Sequence, residues 1–272
     1  MAGVAGTGPP RPGGGPFFRR PAAITAAVVA AMLLGWHAAV AVFRLPDFLL
    51  PSPVAVFQEF VAWPKLLAFH TWVTLLESLL GFGAAIAVAV PLAIAVVYSR
   101  ALSATIYPIL VLFQSVPKVA LAPLFLVWVG IGMSSKVLVA MLVAFFPIVI
   151  DTATGLKAVE PEMLELTRVL RATPLQVFLQ VRLPYAMPYF FSGLKVAVTL
   201  AVIGAVIGEF VGSDNQGLGF FINQESGQGH AARAFASVVI LALMGIGLFG
   251  AVALAERVLL PWRRLTAMSN EG

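Results

Sequence analysis

Between residues 157 and 182 the chain gathers Lys157, Glu160, Glu162, Glu165, Arg168, Arg171 and Arg182, 7 of its 29 charged side chains in 26 residues. Four further ionisable residues, Glu77, Lys118, Asp151 and Glu209, stand inside otherwise apolar runs, where a charge is costly and is ordinarily paired or functional. Asp151 and Glu209 lie near the ends of their runs, where water lowers that cost. Lys118 follows Pro117 in a run interrupted again by Pro123, and discontinuous helices tend to line cavities. A structural pair of Lys118 with Glu77 or with Glu209 is the competing arrangement. His37 and His70 each stand alone among apolar neighbours and read as packed or interfacial residues. None of this is the chemistry of bond cleavage. The chain has no Gly-x-x-x-x-Gly-Lys-Ser/Thr loop for ATP, no Gly-x-Ser-x-Gly, no His-Glu-x-x-His and no cysteine, so neither a phosphate cradle nor a nucleophile–base pair is in view. An intramembrane enzyme would need one of these.

The elements that carry these residues follow from composition. Of 272 residues 60% are apolar and only 11% charged, with a mean hydropathy of +0.98; a soluble domain carries about 25% charged residues. A soluble enzyme, a disordered chain and a nucleic-acid-binding module are excluded, and lipid is the solvent. Runs at Pro21–Phe43, Leu66–Tyr98, Ala101–Val129, Lys136–Thr154, Met187–Val211 and Ala234–Leu260 reach the roughly 20 residues a membrane-crossing helix needs. They are apolar all round and nothing alternates as a barrel strand would. The expected class is an all-α polytopic membrane protein of about six transmembrane helices. The first run exceeds the 7–15 residues of a secretory signal, so it is read as a span preceded by a Gly/Pro-rich tail. With the N-terminus inside, 12 of the 17 Lys and Arg residues fall on the inner side and 4 on the outer, which places both termini in the cytoplasm. Gly204, Gly208 and Gly212 form a ridge of small residues in the fifth run, suited to close helix packing in lipid, either within the chain or against a second copy. Ser52-Pro53 opens a short amphipathic helix with Val54, Phe57 and Val61 on one face.

The charged segment has its own helix signals. Pro161 suits a first helical position, and Met163, Leu164, Leu166, Val169 and Leu170 make an apolar stripe at helical spacing. Thr173-Pro174 is a second N-cap with a first-turn proline. Leu175, Val177, Phe178 and Val181 follow, and Leu183-Pro184 is expected to stop the run. Two short amphipathic helices joined at Arg171-Ala172-Thr173 are therefore predicted on the cytoplasmic face, covering either lipid or a partner.

From Glu165 to Pro184 this segment resembles the "EAA" loop of ABC-importer permeases, whose pattern is Glu-Ala-Ala, three residues, Gly, nine residues, Ile, one residue and Leu-Pro. Glu165, Val181 in place of Ile, Leu183 and Pro184 fall in register without a gap; Leu166 and Thr167 replace the alanines and Arg171 replaces the glycine. The glycine would relax a left-handed turn, so Arg171 questions the turn geometry but not the two-helix plan. Leu50–Pro53, Gln114–Lys118 with Ala122–Phe125, and Gly208–Gly212 with Gly217–Gly219 resemble the nitrate/sulfonate/taurine branch, which includes importers of pyrimidine vitamin precursors and riboflavin. The likeness covers roughly residues 50 to 262.

The resemblance implies a type I ABC-importer (MetI-like) permease fold. It implies a transmembrane domain over 21–262 with a coupling loop at 157–184, and cytoplasmic tails at 1–20 and 263–272. The implied assembly has a second permease copy, a cytoplasmic ATPase dimer that binds ATP and Mg, and an external solute-binding protein, in a bacterial inner membrane. No cofactor is implied in this chain and no nucleic-acid partner. The ATPase-coupling residues would be Glu165, Arg168, Arg171, Ala172, Pro174, Phe178, Val181, Leu183 and Pro184, with Glu165, Arg168 and Arg171 making polar contacts and Leu164, Leu170 and Phe178 packing. Glu77, Gln114, Ser115, Lys118 and Glu209 would line the translocation path. The rival reading, an ion-coupled secondary transporter built of inverted repeats, finds no internal repeat here.

Overall fold

The computed structural model describes residues 19–212 and 214–261; the expected tails lie outside the described residues, apart from the start of the first helix. Among the described residues every regular element is helical. α1 (Arg19–Phe43) is followed by the short α2 (Pro53–Ala62), then α3 (Pro64–Tyr98), α4 (Arg100–Gln114), a 3₁₀ turn (Lys118–Leu121), α5 (Ala122–Val129) and α6 (Met133–Lys157). α7 (Pro161–Val169), α8 (Pro174–Val177), a π-helical turn (Phe178–Arg182), α9 (Leu183–Val211), α10 (Leu218–Gly227) and α11 (Ala231–Leu259) complete the order.

The third apolar run is discontinuous, as Pro117 and Pro123 within it led one to expect: α4 and the Lys118–Val129 stretch meet at 94°, so the described residues hold five helices long and apolar enough to cross a membrane, or six if the bent pair counts as one. Pro117 lacks an amide hydrogen, disfavours helical geometry in the residue before it, and so ends α4. One expectation from the sequence needs correction: Leu183-Pro184 stops nothing. Pro174–Val211 is one apolar helical stretch of 38 residues. The π-turn supplies an extra residue just ahead of Pro184, and the Leu183 amide donates back to the Phe178 carbonyl. Widened turns of this kind and prolines are the ordinary sites where a helix bends without ending.

α3, α6 and α9 form the core, and small residues let them approach. Ala85, Ala89, Ala93, Ala144, Ala153, Ala197 and Ala201 are fully buried among them. The ridge of glycines in α9 faces α6 of the same chain. A Cβ on Gly204 would lie 2.7 Å from the Ala140 Cα, and one on Gly208 2.9 Å from the Lys136 Cα. On Gly212 it would sit 3.2 Å from the Lys136 Cε. α1 stands outside this core, and its Trp36 meets Phe235 of α11 at 6.0 Å between ring centroids. α2 is capped by the Ser52 hydroxyl, which accepts from the Ala55 amide at 3.2 Å, and it exposes Val54, Phe57 and Val61 on one face.

Candidate functional site

The chain directions of α3, α6 and α9 create two chemically different ends. At one end lie the last residues of α3 and α6 and the segment 157–184. Neither α7 nor α8 contains a buried residue, and Leu166, Val169, Leu170 and Leu175 are exposed, Val169 to 78%. Glu162, Glu165, Arg168 and Arg171 are exposed beside them. Leu164 and Phe178 are half-buried, whereas Leu170, expected to pack, faces outward within this chain.

Backbone chemistry fixes the angle between the two short helices. The Ala172 amide donates to the Thr167 carbonyl and the Arg171 amide to the Arg168 carbonyl, both at 3.0 Å. This is the paired pattern that ends a helix around a left-handed residue. Arg171 occupies that left-handed position itself, at φ 52°, so the turn is kept without the glycine. Thr173 and Gln176 then form a reciprocal capping box that starts α8, which satisfies two otherwise orphaned groups. Pro174 stands in its first turn.

At the bend between α4 and α5, Gln114, Ser115 and Lys118 do come together. The Lys118 ammonium donates to the Gln114 carbonyl at 3.1 Å and lies 4.8 Å from the Phe146 ring centroid. Gln114 and Ser115 are exposed. Glu77 and Glu209, expected with them, are elsewhere, and Lys118 pairs with neither.

Glu77 and Glu209 belong to a buried cluster at the other end of the bundle. Lys136 of α6 is its cation, with Nζ 3.1 Å from Glu77 Oε1 and 2.7 Å from Asp214 Oδ1, and it donates to the Gln216 carbonyl at 3.1 Å. Glu209 accepts from the Thr74 hydroxyl at 2.5 Å and from the Gly219 amide at 2.6 Å. The Leu218 amide donates to Thr74 Oγ1 at 2.8 Å and the Gly217 amide to His70 Nδ1 at 3.2 Å. His70 also stacks on Phe221 with centroids 4.6 Å apart. A carboxylate thus sits against the first amides of α10, where free donors and the helix dipole favour negative charge. Gly217 and Gly219 leave the space that carboxylate occupies. Lys136 and Asp214 were not foreseen from the sequence; their signal was a lysine at the start of an apolar run, set against a surplus of carboxylates. At the same end Arg233 joins Glu59 of α2 and Glu225 of α10, each at 2.9 Å, and stacks over Trp63. No group of His, Cys, Asp and Glu among the described residues is suited to hold a metal ion.

This architecture, a small-residue helical core with a solvent-facing helix pair at one end, has counterparts. It matches the fold of a chain in inward-facing structures of the MetNI methionine ABC transporter with a TM-score of 0.61 at 22% identity, over 70% of this chain and 94% of that one. The sequence is 36% identical over 218 residues to the formylaminopyrimidine transport permease protein ThiX of Halalkalibacterium halodurans, covering 80% of this chain and 87% of that protein. It is also 36% identical over 235 residues to the riboflavin transport system permease protein RibX of Chloroflexus aurantiacus, covering 85% of this chain and 87% of that one. The profile described as "Binding-protein-dependent transport system inner membrane component" matches residues 81–264. The chain therefore belongs to that family and is the transmembrane permease subunit of an ABC importer for a small solute.

Proposed function

We propose that this permease works as one of two copies around a shared path, with its 161–177 helix pair seated on a cytoplasmic ATPase dimer and its opposite end facing a solute-binding protein. The observation that supports this most directly is the helix pair itself. Two short helices, held at a set angle and without a fully buried residue, present Leu166, Val169, Leu170 and Leu175 beside Glu162, Glu165, Arg168 and Arg171. An apolar stripe with mixed charges suits a groove on a protein better than a lipid surface, which favours a uniformly basic polar face. The excess of Lys and Arg at the same end supports an inner-face position for it, and for both termini, in a bacterial cytoplasmic membrane. ATP and Mg are held by the ATPase; this chain holds no cofactor and has no hydrolytic activity of its own. ATPase closure moves the helix pair, and the core rotates as a rigid body between inward- and outward-facing states.

The exposed bend at Gln114, Ser115 and Lys118 borders the path. The buried pair Glu77 and Glu209 shapes the outer end without meeting solute. The solute is of the kind handled by the relatives, a pyrimidine, flavin or small sulfonate. Uptake into proteoliposomes containing the permease, its ATPase and its binding protein tests the coupling. Glu165→Lys is expected to leave ATP hydrolysis running while uptake falls at least about tenfold, the effect of about 1.4 kcal/mol in a coupling equilibrium. Unchanged uptake per ATP in that variant, or uptake that follows an ion gradient without the ATPase, sinks the reading. Thermal shifts of the binding protein against formylaminopyrimidine, riboflavin and taurine test the solute class.

A further inference from the structure

The helix pair reaches the membrane core through two connections, the short turn after α6 and the π-turn before α9, and the second carries unusual hardware. Arg182, the last residue of the π-turn, donates from Nη1 to the Leu156 carbonyl at 3.1 Å. That carbonyl is among the last of α6, which lack helical partners and attract a cation. The Arg182 guanidinium also lies 5.5 Å from the ring centroid of Tyr98, the final residue of α3. Phe178, the first residue of the same turn, meets that ring edge-on at 6.1 Å.

The next residue, Ser99, is the N-cap of α4 and accepts from the Leu102 amide at 3.3 Å. One π-turn therefore holds α6 by a hydrogen bond and α3 by ring contacts, and α4 through the cap adjoining that ring. α4 leads to the bend at Gln114–Lys118.

The packing beneath this turn is slack. An apolar cavity of about 80 Å³ lies between α3, α6 and α9, bordered by Thr152, Leu156, Phe178, Leu183, Ala186 and Phe190 among others. The Thr152 hydroxyl is buried there without a hydrogen-bond partner among the described residues. Phe178 borders this pocket, so a change of its rotamer meets open space on that side. A π-turn can also pass to regular α-helix by shifting its register one residue. Close-packed interfaces switch between discrete arrangements rather than bending continuously.

We propose that Arg182 and the π-turn carrying it form the joint through which movement of the docked helix pair reaches the core. Arg182 is a positioning residue: it touches neither ATP nor solute, and it holds the ends of α3 and α6 to the turn while Phe178 moves in its socket. The inference rests on the coupling reading above.

The chain has no cysteine, so single cysteines can carry spin labels. Glu160→Cys places a label at the exposed start of α7, off the docking stripe, and Asn223→Cys places one on the exposed face of α10 at the far end; distances between the two copies are measured in nanodiscs with the ATPase bound. On addition of ATP, Mg and vanadate, both distances are expected to shift in the otherwise unchanged protein. In Arg182→Gln the Glu160 distance still shifts and the Asn223 shift is lost. Should Arg182→Gln fail to assemble, Tyr98→Leu, which leaves the helix pair untouched, carries the same expectation. An undiminished Asn223 shift in the assembled variant overturns the joint. If the Asn223 distance does not respond even without the variant, the coupling reading itself fails.

Discussion

Lys136 and Glu77, 59 residues apart in sequence, form an ion pair with Nζ and Oε1 3.1 Å apart and side chains 0% and 1% exposed. Lys136 is the cation that compensates Glu77, whose other close ionisable neighbour is the carboxyl group of Glu209. Removing one member of a buried pair leaves an uncompensated charge, a cost of about 3–5 kcal/mol. Lys136→Met should lower the thermal unfolding temperature in detergent by that measure. Lys136→Met with Glu77→Leu should recover much of the loss, because Asp214, the remaining partner, is 23% exposed and can reach water. Equal losses in the single and double variants would show that the pair is not the source of the effect.

Two glycines crowd the same alanine from opposite sides, and they differ in what a substitution meets. A Cβ on Gly81 would fall 2.5 Å from the Ala140 Cβ, whereas one on Gly204 would fall 2.7 Å from its Cα. Overpacking of this kind costs about 1–3 kcal/mol. Gly81→Ala should therefore be partly rescued by Ala140→Gly, and Gly204→Ala should not. Thermal unfolding of the four variants in one detergent decides it.

Arg171 pays a conformational cost to keep the turn between α7 and α8. A non-glycine residue at positive φ costs on the order of 1 kcal/mol. Arg171→Gly should strengthen the turn, slowing hydrogen exchange at the Ala172 amide about fivefold, which is ~1 kcal/mol. Faster exchange in that variant would mean the arginine side chain, not backbone strain, dominates there.

Glycines at the two ends of α10 predict opposite signs. Gly217 has φ 99°, and a Cβ there would overlap the Glu209 carboxylate. Gly217→Ala should release the start of α10, at a cost on the order of 2 kcal/mol, seen as faster exchange of the Leu218 and Gly219 amides. Gly227 has open space around it, and Gly227→Ala should stabilise the helix by up to about 1 kcal/mol. Matching signs in the two variants would contradict the carboxylate cradle.

The sequence by itself determined the solvent, the helices and the family. Scarce charges and long apolar runs specify a membrane bundle. Pro161, Thr173, Pro174 and Gln176 specify the start of each short helix, because caps and prolines act on backbone groups within one turn. The spacing from Glu165 to Pro184 survives in the structure even though Arg171 replaces the glycine, since the left-handed turn is a matter of degree in energy.

Only the tertiary structure decided what faces what. It chose Lys136 rather than Lys118 as the partner of Glu77, and turned the glycines of α9 towards α6 of the same chain. It also set at 94° the bend that Pro117 marks, and carried the helix through Pro184 on a π-turn. The reason for the first two is shared. A helix that is apolar on every side has no hydrophobic face to announce its neighbour, and in lipid the facing is set by fit between small residues and by pairing of buried charges. Those interactions join residues far apart in the chain and leave no periodic trace along it.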